Sequence, residues 1–175
     1  TSVGDITLSG DLDVNAGGAI SNAGAVSAAT GTIEDTIGAT SVSITGTTVL
    51  GSNVTTSGSQ SYGATTLNEN VTLDASDVTF TSTLDADAVA DGDETLTVAT
   101  GSAEFQGAVG STNALGTIDV ATTLTVSTGS IANAGNLVAT DAVFDGAVGT
   151  TSVGDITLSG DLDVNAGGAI SNAGA

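Results

Sequence analysis

The sequence predicts an all-β fold, a right-handed parallel β-solenoid (β-helix) with about 19 residues per turn and about eight turns per 150-residue repeat. Three observations lead to this fold class. A long segment of the chain is duplicated without change, large apolar residues recur at nearly constant spacing, and the local pattern alternates as it does in strands.

The duplication defines the repeat. Residues 1–25 recur letter for letter as residues 151–175, which sets a unit of 150 residues. Within the unit, 103–120 resembles 142–158 at an offset of 39 residues, the length expected for two turns. We expect 1–150 to form one complete β-solenoid unit and 151–175 to begin the next identical one, as a continuous rod without a linker. The chain is expected to be an internal segment, with any export signal outside it.

A ladder of large apolar residues runs through the unit. Its members follow one another at steps of 18 to 20 residues and are Ile6, Val26, Ile44, Tyr62, Phe80, Val98, Ile118, Leu137 and Ile156. Eight such steps span the unit, and each is interpreted as one turn. The ladder predicts that Tyr62 and Phe80 stack on successive turns. It also predicts that Ile6 and Ile156 lie nearly in line along the rod, roughly 38 Å apart at about 4.8 Å per turn.

Between the ladder positions the sequence has the period of two that is typical of strands. Segments such as 78–84 (VTFTSTL) and 95–98 (TLTV) alternate apolar residues with Thr or Ser, and Gly, Asn and Asp cluster between such segments. This alternation argues against a helix and against the alternative of a disordered, low-complexity linker. The asparagines at the expected corners are predicted to bond from turn to turn; they are Asn15, Asn22, Asn53, Asn68, Asn70, Asn113, Asn133 and Asn136.

Composition excludes several classes of function. The chain has 20 carboxylates and no Lys, Arg, His, Cys, Met, Pro or Trp. Without His, Cys or Lys there is no ordinary general base, thiol nucleophile or Schiff-base amine, so no enzymatic activity is expected. A net charge of −20 argues against nucleic acid as a partner and against an anionic membrane surface. Because no apolar run approaches about 18 residues, no membrane insertion is expected in this segment.

One stretch of the unit resembles a known family. Residues 54–120 contain SQSYGA, then VTLDASDVTF, then LTV followed by FQGAVG, and finally IDV. This order is similar to the repeats of large secreted bacterial adhesins of the filamentous-haemagglutinin and autotransporter type. The resemblance implies export and a rod-like passenger. The exact 150-residue duplication and the lack of basic residues depart from that pattern and fit a regular fibre better than a one-off adhesin.

A dense group of carboxylates forms the main candidate site. Asp85, Asp87, Asp91, Asp93 and Glu94 lie within ten residues of one another. Such a group repels itself unless a cation or solvent relieves the charge, and Ca²⁺ prefers oxygen ligands of this kind. The sequence therefore suggests a Ca²⁺ site, with a solvated acidic loop as the alternative. No other cofactor is expected.

Asp11, Asp13 and Asn15 form a second candidate, which recurs in the duplicate. Their D-x-D-x-N spacing resembles the start of a calcium loop. The alternation with Leu12 and Val14 offers a simpler interpretation, in which the polar residues of a strand face outward and the apolar ones inward.

Other polar patterns are weaker candidates. The carboxylate pairs Glu34 with Asp35 and Asp74 with Asp77 have the chemistry of a glycosidase acid and base, but the sugar-stacking aromatics of such a cleft are lacking. Two N-x-T acceptors for glycosylation begin at Asn53 and Asn70. The T-x-T pairs are typical of ice-binding solenoids, yet here they are scattered in phase around the coil.

These observations together predict a structural protein that forms an extracellular filament or surface fibre from tandem β-solenoid repeats. The alternative is the stalk of a secreted bacterial adhesin whose binding tip lies outside this segment, and a polysaccharide-active enzyme is a distant third. The expected partners are further copies of the same repeat along the fibre, with lateral self-association through divalent cations. The expected location is extracellular or at the cell surface.

Overall fold

The computed structural model describes residues 3–88 and 94–174 and confirms the predicted fold. Within these residues every regular element is a β-strand, and the strands pair in parallel to form a β-solenoid of about eight turns with the predicted mean spacing. In the same part of the chain, no helix has the length and apolarity needed to cross a membrane.

The described residues contain 22 short strands. In chain order they are β1 (Ile6–Thr7), β2 (Asp11–Val14), β3 (Ile20–Ala28), β4 (Thr30–Ile33), β5 (Ile37–Ile44), β6 (Thr48–Leu50), β7 (Val54–Thr56), β8 (Gln60–Tyr62), β9 (Thr65–Leu67), β10 (Val71–Asp74), β11 (Asp77–Phe80), β12 (Leu84–Ala86), β13 (Leu96–Val98), β14 (Ser102–Phe105), β15 (Ala108–Val109), β16 (Ile118–Val126), β17 (Ser130–Ala134), β18 (Leu137–Phe144), β19 (Ala147–Val153), β20 (Ile156–Leu158), β21 (Leu162–Val164) and β22 (Ala169–Ile170).

Successive turns stack these strands into three faces. Face I contains β7, β10, β13, β20 and the first halves of the long strands β3, β5, β16 and β18. Face II contains β1, β8, β11, β14, β21 and the second halves of the same long strands. The long strands join faces I and II into one 13-stranded sheet, and a separate nine-stranded sheet, which runs from β2 to β22, is face III.

Alternation along each strand builds the core. In β4 the Gly31 and Ile33 positions are buried while Thr30 and Thr32 are half-buried, and β10 repeats the pattern with Val71 and Leu73 inside. Strand positions therefore contribute small or branched apolar residues to a narrow interior, and Thr, Ser and Asp face outward. The sparse aromatic content follows, because such an interior has little room for rings.

The predicted ladder is confirmed at five of its eight steps. Paired neighbours in the structure are Ile6 with Val26, Ile44 with Tyr62, Tyr62 with Phe80, Ile118 with Leu137, and Leu137 with Ile156. Tyr62 and Phe80 stack as expected, with ring centroids 5.7 Å apart.

The other three steps are wrong because turns differ in length. Val26 pairs with Val42, which comes before the expected partner in the chain, whereas Phe80 pairs with Phe105, which comes well after it. Val98 pairs with Val120 rather than with Ile118. The longest turn contains the connection between β12 and β13, and strands still pair across it, with Leu84 opposite Val109 and Val71 opposite Leu96.

The expectation that Ile6 and Ile156 lie in line is also wrong. Ile6 pairs with Val26 on face II, whereas Ile156 pairs with Leu137 on face I. Equivalent residues of the duplicated segment thus occupy different faces of the same coil.

The similarity between 103–120 and 142–158 corresponds to two turns, as predicted. Phe105 pairs with Val126, and Val126 pairs with Phe144. Each of the two similar segments contains the sequence GAVG, whose last glycine, Gly110 or Gly149, has a φ of 64° or 74° respectively. A Cβ at Gly110 would overlap the carbonyl oxygen of Asn133 on the next turn, so both the left-handed backbone and the close approach require glycine there.

Candidate functional site

The described residues of the acidic segment are 85–88 and 94, of which Asp85 belongs to β12 on face III and Glu94 precedes β13 on face I. Asp85 is a half-buried residue of β12, and its Oδ1 accepts hydrogen bonds from the backbone N–H of Thr112 at 2.8 Å and from the Ser111 hydroxyl at 3.5 Å. Both donors belong to the next turn. Asp85 therefore ties two turns together directly after the Leu84–Val109 pair, a role that needs no metal.

The remaining members of this acidic group are distributed differently. Asp87 is half-buried, and Glu94 is 5% exposed. Asp91 and Asp93 lie outside the described residues. Among residues 3–88 and 94–174 no three acidic side chains come close enough to hold a metal ion. The Ca²⁺ site that needs all five carboxylates therefore stays a prediction.

Asp11 and Asp13 point outward from β2. Both are exposed, whereas Leu12 and Val14 between them are buried at 6% and 2% exposure. The Asp11 carboxylate accepts a hydrogen bond from the hydroxyl of Thr30 on the next turn. The interpretation of this segment as an alternating strand is confirmed.

In the duplicate of this segment, the carboxylates that link the turns belong to the preceding turn. The backbone N–H of Asp161 donates to Asp141 Oδ1 at 2.8 Å, and Asn165 Nδ2 donates to Asp145 Oδ1 at 2.8 Å. Here too the carboxylates connect successive turns along the rod.

The paired carboxylates at 34–35 also have structural partners. Asp35 accepts hydrogen bonds from the backbone N–H groups of Thr36 and Gly17, each at 2.7 Å. These bonds favour the ionised form and lower the pKa of Asp35 below its usual value. Glu34 beside it is exposed.

The two carboxylates of the second pair, Asp74 and Asp77, also lie in different environments. Asp74 accepts a 2.6 Å hydrogen bond from the hydroxyl of Thr100 on the next turn, whereas Asp77 is exposed at the start of β11. Asp74 thus adds one more link between turns.

The predicted bonding of corner asparagines from turn to turn is confirmed for some of the eight, whereas the buried Oδ1 of Asn68 has no hydrogen-bond partner among the described residues. The amide oxygens of Asn53, Asn70 and Asn136 accept hydrogen bonds from backbone N–H groups of the following turn, at 2.8, 2.7 and 3.0 Å respectively. These bonds satisfy donors at corners, where the regular ladder of the strands is interrupted. Corner Asn and Asp residues therefore act as latches along the rod.

A buried polar cluster was not foreseen from the sequence. Gln60 is 1% exposed, and its Nε2 donates to the carbonyl oxygens of Val54 at 3.0 Å and Asp74 at 3.2 Å. Its Oε1 accepts the hydroxyl of Tyr62 at 3.0 Å. A signal was present, because Gln60 lies two residues before the inward-facing Tyr62 and therefore faces inward itself.

The outer surface has a shallow groove of about 560 Å³ along face I, near its corner with face II. Its lining residues are small and uncharged, and include Asn22, Gly38, Ala39, Thr55 and Ser57. No charged residue is among the described residues that line it, which makes the groove a weak candidate for chemistry.

The ends of the rod expose apolar side chains. Val3 and Leu8 on the first turn are 52% and 37% exposed, and Leu162, Val164 and Ile170 on the last turn are 44%, 46% and 39% exposed. All five belong to the duplicated segment and lie where the stack of turns ends.

Comparison with known proteins gives one finding. Residues 139–175 match a family described as repeats of unknown function (DUF5649). The matched stretch includes the start of the duplicate and nearly two turns of the solenoid. No curated protein and no solved structure matches the chain.

The chain is a repeat-containing β-helical protein. Its duplicated sequence, the repeat family match and the solenoid agree on a structural repeat protein. Four carboxylates of the candidate sites accept hydrogen bonds from neighbouring turns, and these bonds help to hold the stack together; they are Asp11, Asp35, Asp74 and Asp85.

Proposed function

We propose that this protein is a structural protein that forms an extracellular filament or surface fibre from tandem β-solenoid repeats. The observation that carries the proposal is the pairing across residue 150. On face III, Ile131 pairs with Val148, and Val148 pairs with Ile170 of the duplicate. Strands of one unit therefore serve directly as the template for strands of the next.

Pairing along the axis suits a load-bearing role. Each interior strand donates and accepts backbone hydrogen bonds with the turns before and after it, and corner latches such as Asn53 and Asp85 bridge the interruptions. A pull along the rod is opposed by many such bonds in parallel on three faces. These bonds suit a mechanical role rather than an enzymatic one.

Two features of the sequence support an extracellular location. The absence of Lys and Arg removes every cleavage site for trypsin-type proteases. The similarity of residues 54–120 to secreted adhesin repeats implies export. Further copies of the repeat are the proposed partners along the fibre, and divalent cations bridge neighbouring rods through their carboxylates.

Limited proteolysis combined with imaging tests this proposal. Arrays of several units should appear as thin unbranched rods by electron microscopy and resist proteinase K, except at the longest connection between β12 and β13. An antibody against the unit should label intact cells of the source organism, and proteinase K applied to those cells should leave the label in place. Digestion throughout the native unit, or labelling confined to broken cells, would contradict the proposal.

A second candidate function is the stalk of a secreted adhesin, and the resemblance of residues 54–120 favours it. Both functions need the same rod, so they differ in what the rod carries at its end. A full-length chain of identical units without a distinct terminal domain fits a filament. A divergent terminal domain that by itself binds cells or glycans, with the rod inert in the same assay, fits a stalk.

A further inference from the structure

The two copies of the duplicated segment fold in the same way. The backbone N–H of Val3 donates to the carbonyl oxygen of Asn22 at 2.9 Å, and in the second copy Val153 donates to Asn172 at 3.0 Å. Asn22 and Asn172 both adopt a left-handed backbone, with φ of 54° and 48°. The internal geometry of the segment is therefore a property of its sequence and is retained at both ends of the rod.

The first copy occupies the faces in the order II, III, I. Ile6 pairs with Val26 on face II, Leu12 is opposite Gly31 on face III, and Ile20 pairs with Ile37 on face I.

The second copy occupies the faces in the order I, II, III. Ile156 pairs with Leu137 on face I, Leu162 with Ala142 on face II, and Ile170 with Val148 on face III. Each element of the second copy thus lies one face earlier than its equivalent in the first.

The length of the turns explains this displacement. On face II, eight pairing steps lead from Ile6 to Leu162, so eight whole turns carry the chain past Ile156, the duplicate of Ile6. The repeat has 150 residues and therefore ends before the eighth turn closes. The repeat is shorter than eight turns by one strand and one corner. This difference displaces the second unit by one face relative to the first.

The exposure of equivalent residues identifies what covers the last turn. Leu12 and Val14 are 6% and 2% exposed where β4 stacks on them, whereas their equivalents Leu162 and Val164 are 44% and 46% exposed. Conversely, Val3 is 52% exposed on the first turn, and its equivalent Val153 is buried. No described turn stacks before the first copy or after the second. The apolar residues that are exposed at one end are therefore the ones that a stacked turn covers at the other end.

We propose that the last turn is the docking surface for the remainder of the repeat that residues 151–175 begin, and that each unit in an array is advanced by eight turns less one face. The occupant is the stretch equivalent to residues 26–33, which covers Leu12 and Val14 in the first unit. This inference requires only that units follow one another in tandem, and it is independent of an extracellular location.

The order of faces makes the continuation consistent. In the second copy Ile170 lies on face III, so the chain that follows enters face I and then face II. There it would meet Ile156 and then Leu162, in the same order in which β3 and β4 meet Ile6 and Leu12 in the first unit. A given side chain therefore moves to the preceding face in each new unit and returns to its starting face after three units.

Cysteine pairs in a protein of two complete units, followed by a third copy of the segment 1–25, test the displacement. The natural chain has no cysteine, so each introduced pair is unique. Asp163 is opposite Val143, and its equivalent Asp13 is opposite Thr32. Parallel neighbours about 4.8 Å apart lie within the Cα separation that a disulfide tolerates.

Two variants carry Asp163→Cys together with either Val143→Cys or cysteine at the Thr32 equivalent of the second unit. If units are displaced by one face, both variants should form an intramolecular disulfide as completely as an Asp13→Cys, Thr32→Cys pair in the first unit. A pair on different faces, Val143→Cys with Thr157→Cys, should stay reduced. Disulfide formation is measured by gel mobility after mild oxidation.

If each unit had eight whole turns, the cysteine at position 163 could pair with position 143 or with the Thr32 equivalent, but not with both. A disulfide in only one of the two variants would therefore overturn the proposal. Helical image analysis of long arrays gives an independent readout that requires no substitution. Successive units should be rotated by one face, and units that superimpose by translation alone would also overturn it. Neither result bears on the location of the fibre, so failure here is distinct from failure of the proposed function.

Discussion

The hydroxyl of Tyr62 donates a 3.0 Å hydrogen bond to Gln60 Oε1 inside the coil, where both side chains are almost completely buried. The Tyr62 ring stacks on Phe80, and Phe80 stacks on Phe105 with ring centroids 5.4 Å apart. A column of aromatic rings thus fills the interior on three successive turns and ends at a satisfied polar pair.

Alkaline titration of Tyr62 should report on this burial. Burial raises the pKa of Tyr62 far above its ordinary value, because the tyrosinate would lose its hydration. The protonated Tyr62 therefore contributes its full share to the free energy of unfolding below about pH 10. That contribution is lost as the pH rises further towards the folded-state pKa of Tyr62. As Tyr62 is the single tyrosine, ultraviolet absorbance of tyrosinate measures it directly. Ionisation near pH 10 while circular dichroism still shows the native fold would contradict the buried position.

The aromatic column can be tested at its middle ring. Phe80→Ala removes a fully buried side chain between two other rings and should lower the free energy of unfolding by about 3–5 kcal/mol. Phe80→Asp should be more harmful because it buries an unpaired charge. Thr79→Ala, on the outward side of the same strand, is the matched control and should change stability by less than about 0.5 kcal/mol. Chemical denaturation measures all three, and equal effects of the two alanine variants would argue against an inward Phe80.

Glycine at the close approach between turns should be irreplaceable. Gly110→Ala combines a left-handed backbone with an overlap against the Asn133 carbonyl oxygen and should destabilise the fold by more than about 1 kcal/mol. Gly10→Ala is the matched control, since a Cβ there meets no atom within 4 Å. Thermal unfolding of the two variants should differ clearly, with Gly10→Ala close to the parent protein. A Gly110→Ala variant as stable as the parent would mean that this corner is built differently.

The corner latches should contribute modestly and through their oxygen atoms. Asn53→Ala removes the acceptor for the Thr72 N–H at an exposed corner and should lower stability by about 0.5–1.5 kcal/mol. Asn53→Asp keeps an acceptor oxygen and should retain most of that stability. Hydrogen exchange at the amide of Thr72 is the specific measurement: it should accelerate in Asn53→Ala and stay slow in Asn53→Asp. Unchanged exchange in both would exclude a latch at this position.

Divalent cations should bind the rod through its overall charge. The chain has 20 carboxylates, of which the duplicate at 151–175 holds three, so a 150-residue unit carries 17. Spread over about eight turns of about 4.8 Å, they give roughly one negative charge per 2.3 Å, close to the roughly 1.7 Å of duplex DNA. Chelation of Ca²⁺ and Mg²⁺ at low ionic strength should lower the melting temperature or loosen bundles, and added salt should mask the effect. The same melting curve with and without chelator would limit the charge to a role in solubility.

The sequence predicted the solenoid correctly because duplication and alternation are independent of the length of any single turn. It could not predict every pairing, and Val26 shows why. Val42 and Ile44 both follow Val26 at a spacing close to one turn, and both are buried in the structure, although Val26 pairs with Val42. Because side chains alternate with a period of two, moving the pairing by two residues keeps the same side chains facing inward. Apolar character alone therefore cannot choose between Val42 and Ile44 as the partner of Val26.

The candidate sites were harder to predict for a different reason. Asp85 and Asp35 look like free carboxylates in the sequence, yet they accept backbone N–H groups from residues 27 and 18 positions away. The partners of these residues depend on the length of the turn that separates the two, and the sequence does not specify that length directly. Outward Asp11 and Asp13, which lie within a strand, were predictable because alternation alone sets their direction.

The long turn between β12 and β13 has a practical consequence for engineering. Leu84 pairs with Val109 and Val71 with Leu96 on either side of it, so strand pairing continues across the longest turn. This corner is therefore a natural insertion point for foreign peptides. A graft repeated in every unit would appear at regular heights along the fibre, turned by one face each time, so that an array would display its cargo as a spiral staircase.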